Sequence, residues 1–142
     1  MPRLFHGTRH ADATAMQDDG TGQGGIDVTR GSGEFGQGFY AQDSGANALT
    51  FVQNKFPMNQ RPCVLQLDIG DHQYNGLSKR LLDAKLAARL TRRLRSNGTV
   101  ATHIEGVDVV VGPLSQWVEQ QKFESAAAQT LLNGPNTQRT VL

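Results

Sequence analysis

The sequence predicts an α+β domain built on a mixed or mostly antiparallel sheet. Three observations carry this. Extended segments are scattered between helices and long loops instead of alternating strictly with helices. Cys63–Ile69 sets Cys63, Leu65, Leu67 and Ile69 against Val64, Gln66 and Asp68, the period of a half-buried strand. Ser78–Arg95 repeats leucine at 82, 86, 90 and 94, the clearest helix in the chain.

The other elements follow in order. Pro2–His6 reads as a short strand closed by Gly7-Thr8, and residues 9–20 hold a short helix ending at Gly20. Glycines crowd residues 20–38, a loop in which Ile26 and Val28 mark a brief strand. Phe39–Ala41 is a strand end. Asp43 or Ser44 caps a helix to about Asn54, with Ala48, Phe51 and Val52 on one face. Pro57–Pro62 is a polar break, and Gly70–Gly76 a loop with Asp71 and His72. Ser78 caps the leucine-repeat helix, which Asn97-Gly98 ends. Val107–Val111 is a β-branched buried strand. Leu114–Leu132 is helical in parts, anchored by Trp117 and Phe123, and Thr137–Leu142 is a final strand after the turn at Asn133–Asn136.

At 142 residues, 1–142 is expected to form one domain with a single core. A charged fraction of 19% is too low for a disordered chain, and a net charge of +1 gives no strong long-range field, so any basic patch is local. The single cysteine, Cys63, rules out an intramolecular disulfide framework and sits in an apolar run as a buried core residue. No stretch reaches the length of a membrane span, and no signal peptide is visible, so a reducing aqueous compartment is expected.

Several familiar chemistries fit poorly. Gly31–Gly36 matches G-x-G-x-x-G, yet a weak strand precedes it and it runs into aromatics where a dinucleotide fold requires a helix. His6, His10, His72 and His103 are dispersed, and one cysteine cannot supply the usual zinc ligand pairs. The apolar setting of Cys63 disfavours a thiolate nucleophile, and no G-x-S-x-G elbow is present. Taken singly, His6 reads as a turn histidine, and Tyr40 and Phe51 as core aromatics.

Their conjunction says more. His6-Gly7-Thr8 follows an N-terminal strand. Gly25-Ile26 lies in the glycine-rich segment, Phe35–Tyr40 reads FGQGFY, and Phe51 stands eleven residues after Tyr40. This set resembles the ADP-ribosyltransferase superfamily. It is most similar to the His–Tyr–Glu branch of poly(ADP-ribose) polymerases and diphtheria toxin, and to the small toxin domains that end bacterial polymorphic toxins. Asp108–Pro113 and Thr137–Val141 resemble later strands of those domains, whereas residues 70–104 match nothing specific.

The resemblance implies a split mixed sheet and transfer of ADP-ribose from NAD+ to a macromolecular acceptor, without a metal. It implies an NAD+ site formed by His6, Gly7, Thr8, Gly38, Tyr40 and Phe51. The backbone of Gly7 would meet the nicotinamide carboxamide, Tyr40 and Phe51 would sandwich the ring, and His6 would bond an adenosine-ribose hydroxyl. It places the third triad residue, a glutamate in the family, at Gln138. That amide can orient a hydroxyl but supplies no full negative charge. Asp108, Glu119 and Glu124 are the acidic alternatives. A toxin of this kind would act in the cytoplasm of a target cell and have a cognate immunity protein. The competing class is a non-catalytic NAD+ or ADP-ribose binding module. Lys79, Arg80, Lys85, Arg89, Arg92, Arg93 and Arg95 give the expected 78–95 helix a basic face opposed by Asp83. That face is expected to meet phosphates or an acidic partner and favours structured RNA over protein as acceptor.

Overall fold

A computed structural model describes residues 2–17, 25–30, 35–96, 107–114 and 118–142. It is α+β: a mixed seven-stranded sheet with, among the described residues, five α-helices. The strands are β1 (Arg3–Arg9), β2 (Phe39–Gln42), β3 (Pro62–Ile69), β4 (Lys79–Leu81), β5 (Val109–Pro113), β6 (Glu119–Phe123) and β7 (Thr137–Val141). The helices are α1 (His10–Gln17), α2 (Gly45–Lys55), α3 (Asp71–Asn75), α4 (Ala84–Ser96) and α5 (Ala126–Asn133). The sheet runs β4-β5-β6-β2-β1-β3-β7, and only β4 with β5 is parallel.

Side-chain alternation assigns the faces. Leu4, Phe39, Ala41, Leu65, Leu67, Val109, Val111 and Phe123 pack with Ala13 of α1 and with Ala128 and Leu132 of α5. On the opposite face Gly7 abuts α2, where a Cβ would lie 2.8 Å from the Ala48 carbonyl and 3.1 Å from Val52 Cβ. The register carries that face across the sheet: Phe5 opposes Gln42, and Tyr40 opposes Lys122, which opposes Val110. Val110 packs with Phe35, Leu82 and Ala87, with Tyr40 and Leu90 against them. Helices α2 and α4 therefore share one face, and α1 and α5 the other. Cys63 is buried in the larger core, where burial pushes its thiol pKa up.

Four elements depart from the sequence reading. The helix expected from Ser78 begins at Ala84. Lys79–Leu81 instead pairs with Val109–Val111, the Ser78 hydroxyl goes to Asp108, and Asp83 caps the helix by accepting from the Leu86 amide at 2.8 Å. Leu82 precedes the helix yet enters the same cluster, which is why its spacing mimicked a helical turn. Gln120, Gln121 and Lys122, expected within a partly helical segment, lie in a buried strand between β2 and β5. Residues 71–75 form a short helix where a loop was expected. Ile26 and Val28 form no strand. Their amides donate to the Asn133 and Gln129 side chains of α5, so side-chain amides stand in for a ladder and keep both residues buried. The expected roles of Gly31–Glu34, Asn97-Gly98, His103 and Trp117 lie outside the described residues.

Candidate functional site

A cleft of about 620 Å3 opens where β1 and β2 part. The two strands pair at Phe5↔Gln42. Beside that point the cleft is lined by His6 and Gly7 of β1, Gly38 to Gln42 around β2, and Phe51 and Lys55 of α2. Asp12, Asp27 and Arg30 line it from the α1 side, and Gln120 from β6.

His6 is fixed by two contacts. Its ring stacks on Phe39 with centroids 4.3 Å apart, and Nδ1 lies 2.6 Å from the Tyr40 carbonyl. A carbonyl can only accept, so Nδ1 carries the hydrogen and Nε2 of the neutral ring keeps its lone pair. Burial pushes the His6 pKa down, against the raising effect of the Tyr40 hydrogen bond. The neutral ring is therefore the resident form at neutral pH. His6 thus presents a hydrogen-bond acceptor, held by its other nitrogen.

Tyr40 is held at its hydroxyl, which donates to the Gly36 carbonyl and accepts from the Phe35 amide at 3.0 Å. Gly36 has φ 92°, a left-handed turn open to glycine, and this turn brings its carbonyl back to the ring. The same corner is tied to β6. Lys122 is fully buried, and its Nζ donates to the Phe35 carbonyl at 2.8 Å and to Glu124 Oε2 at 2.8 Å. Burial pushes the Lys122 pKa down and the Glu124 carboxylate opposes that. A Cβ on Gly38 would stand 2.4 Å from Lys122 Cγ, so the glycine there makes room for this buried lysine.

Phe51 was expected beside Ala48 and Val52 on one helix face. Those two are fully buried, but Phe51 is 55% exposed, with its ring at the cleft and Lys55 Nζ 6.0 Å from its centroid. Gly7 also lines the cleft; its missing side chain is required by α2 packing behind it. Thr8 is buried opposite Cys63 in the β1–β3 ladder and is not among the lining residues.

Gln138 stands apart from this group. It lies exposed on edge strand β7 opposite Asp68, separated from β1 by β3. The acidic alternatives are also elsewhere. Asp108 accepts from the Ser78 amide at 2.8 Å and from the Ser125 hydroxyl at 2.6 Å. Desolvation opposes its ionisation, but hydrogen bonds from Ser125 and Ser78 outweigh this and hold its pKa below the ordinary value. It knits β4, β5 and the start of α5 together. Glu119 is exposed at the start of β6, and Glu124 belongs to the buried pair with Lys122.

The residue that sequence reasoning missed is Gln120. It is buried, it opposes Gln42 across β2–β6, and it lines the cleft. Its signal was present only in combination: it belongs to a polar run that becomes a strand solely because β2 and β5 flank it. Asp27, Arg30 and Lys55 were also missed. Arg30 Nε lies 3.2 Å from Asp27 Oδ2, and hydrogen bonds from Thr29 hold the Asp27 pKa down. The cleft thus offers the rings of Phe5, Phe39, Tyr40 and Phe51, a neutral imidazole, the buried amides Gln42 and Gln120, the carboxylates Asp12 and Asp27 and the cations Arg30 and Lys55. Among the described residues no His, Cys, Asp and Glu cluster could hold a metal ion. No family model matches this chain, and no curated protein matches it.

Proposed function

We propose that this chain is an NAD+-dependent mono-ADP-ribosyltransferase whose sheet is the split sheet of that superfamily. One observation carries the reading. His6, Gly7, Tyr40 and Phe51, the widely spaced residues of the sequence resemblance, line a single cleft at the point where β1 and β2 separate. Its volume lies in the range of small-ligand sites.

The chemistry follows from the groups present. Tyr40 and Phe51 offer aromatic faces for the nicotinamide ring. The His6 Nε2 lone pair accepts a ribose hydroxyl, and Arg30 and Lys55 supply positive charge for the diphosphate. The C1′–N glycosidic bond breaks with its electron pair passing to the nicotinamide nitrogen, which leaves neutral. An acceptor nucleophile then forms a bond to C1′ and loses its proton to solvent. We assign the third polar position to Gln120 in place of Gln138, because its buried amide lines the cleft from the strand paired with β2, whereas Gln138 lies outside the cleft. A fixed amide dipole orients the ribose but lends less charge than a carboxylate, so positioning carries more of the rate than electrostatics here.

A second reading, a non-catalytic NAD+ or ADP-ribose binding module, draws on that same missing carboxylate. Incubation with NAD+ labelled in its adenylate half, together with RNA and protein fractions, separates the two. Transfer predicts covalent label in one fraction and released nicotinamide. Thermal stabilisation by NAD+ without label supports the binding module, and neither effect overturns both.

A further inference from the structure

The two halves of the cleft lie on opposite faces of the sheet and differ in charge. Alternation along β1 puts His6 on the side of Leu4, and its ring stacks on Phe39, which packs in the same core as Leu4. That is the face of α1. Tyr40, next to Phe39 in β2, turns to the other face, where Phe51 and Lys55 of α2 also line the cleft. In the binding mode proposed above, the nicotinamide ring lies between Tyr40 and Phe51 and the adenosine ribose meets His6. The dinucleotide therefore passes through the β1–β2 split, its nicotinamide end on the α2 side and its adenosine end on the α1 side. Among the described residues that line the cleft, the α1 side contributes two carboxylates, Asp12 and Asp27, and one guanidinium, Arg30; the α2 side contributes the ammonium of Lys55. The adenosine end is thus the more negative end.

Asp12 is the acid placed beside the ribose. It stands in the first turn of α1, directly after the strand that carries His6. Burial lowers the His6 pKa most, the Tyr40 bond raises it, Lys55 lowers it and Asp12 raises it, so both charges act on the ring from the cleft. Arg9 Nε donates to Asp12 Oδ2 at 2.8 Å, which fixes a carboxylate that still has acceptor capacity for a hydroxyl. Asp27 is engaged otherwise: it accepts from the Thr29 amide at 2.9 Å and the Thr29 hydroxyl at 2.6 Å, and it lies 3.2 Å from Arg30 Nε. Arg9 and Arg30 are therefore each matched to a carboxylate. The neutral His6 ring adds no positive charge to this end. A phosphate ester on the adenosine ribose would bring nearly two further negative charges to the same wall.

We infer that Asp12 is a specificity-determining residue: it accepts an adenosine-ribose hydroxyl beside His6 and repels a 2′-phosphate, so that the cleft takes NAD+ and discriminates against NADP+. The inference rests on the NAD+ site proposed above. The logic is that of other dinucleotide sites, where an acid receives the ribose 2′-hydroxyl and an arginine accommodates the 2′-phosphate. Here the arginine is present, but Asp12 occupies it. Discrimination comes from a repulsive element as much as from an attractive one.

The test measures dissociation constants of NAD+ and NADP+ by calorimetry for the full chain and for its Asp12→Asn and Asp12→Lys variants. The Arg9 and Asp12 side chains are 45% and 40% exposed, so neither change disturbs the core. The unaltered chain should bind NADP+ roughly 30-fold more weakly than NAD+. Asp12→Asn should lower that ratio about tenfold, through weaker NAD+ binding and through release of Arg9 to meet the phosphate. Asp12→Lys should lower it further, in the order of the charge at this position. Equal affinities in the unaltered chain, or a ratio that Asp12→Asn and Asp12→Lys leave unchanged, overturns the inference while the NAD+ site stands. Failure of both dinucleotides to bind the unaltered chain overturns the site and the inference together.

Discussion

The two edges of β1 are built differently. Along β3 it is paired throughout, from Arg3↔Asp68 to Arg9↔Pro62, and Leu4 there packs with Leu65 and Leu67. Along β2 it pairs at Phe5↔Gln42, and beside that point His6 turns its ring nitrogen to a β2 carbonyl. Beyond the split the polar groups multiply: Gln42, Gln120, Lys122 and Glu124 are all buried. One edge closes the sheet with backbone ladder and apolar contact. The other leaves a gap and fixes its margins with side-chain bonds. Such polar margins hold a cleft in one shape only when every member has its partner.

The largest way to break this arrangement is through Lys122. Lys122→Met removes the partner of a carboxylate that is almost fully buried and releases the Phe35 carbonyl. Leaving one charge of a buried pair costs about 3–5 kcal/mol, to be read from urea unfolding. Replacing both charges, as Lys122→Met with Glu124→Leu, should recover most of that loss, because no isolated charge remains. NAD+ binding should stay impaired in the double variant, since the Phe35 corner that anchors Tyr40 has lost its tether. Full recovery of both properties would reduce the pair to a packing role.

His6 tests the inner margin. His6→Ala should lower NAD+ turnover by about 100-fold, the scale on which mispositioned substrates lose rate. Its pH behaviour has a definite sign. The folded-state pKa lies below 6.5, so above that value both states hold a neutral ring and the contribution to stability is flat. As pH falls below 6.5 the unfolded chain binds a proton that the folded chain refuses. Stability then drops by up to about 1.4 kcal/mol per pH unit until the folded-state pKa is reached. The depressed Asp27, Asp68 and Asp108 lose their contributions only as pH approaches and passes 3.8, so they leave the upper part of this window clear. Urea titrations between neutral and mildly acidic pH should show the decline in the unaltered chain and its loss in His6→Gln.

The closed edge was the more legible of the two. Cys63–Ile69 and Leu4 declared a strand by period and apolarity, and Ser44 declared the cap of α2, where its hydroxyl accepts from the Asn47 amide. The split edge was legible in its aromatics and glycines but not in β6. Glu119-Gln120-Gln121-Lys122 has weak strand propensity, and each buried polar side chain is tolerated only through partners distant in sequence. Gln121 accepts from the Tyr74 hydroxyl, and Lys122 donates to Phe35. No local pattern encodes such contacts. The expectation of Gln138 as the third polar residue has the same origin. Without β6 as a strand beside β2, the late strand available to supply an amide was β7.

The smallest expected effects therefore discriminate most finely between the two edges. Gln120→Ala should lower turnover roughly tenfold, about 1.4 kcal/mol in the barrier, by removing a buried amide from the cleft wall. Some of that loss should appear in KM, because Gln120 neighbours Gln42, whose side chain accepts from Asn47 at 2.6 Å and helps to seat α2. Gln138→Ala should leave turnover unchanged and stability within about 0.5 kcal/mol, as for an ordinary exposed substitution. Its strand is zipped to the closed edge, where Asp68 opposite it is already engaged by Arg3 at 2.7 Å and by Gln66 at 3.0 Å. Activity lost in Gln138→Ala but kept in Gln120→Ala would move the reacting centre to the β3–β7 side. The cleft at the β1–β2 split would then have no role in the transfer step.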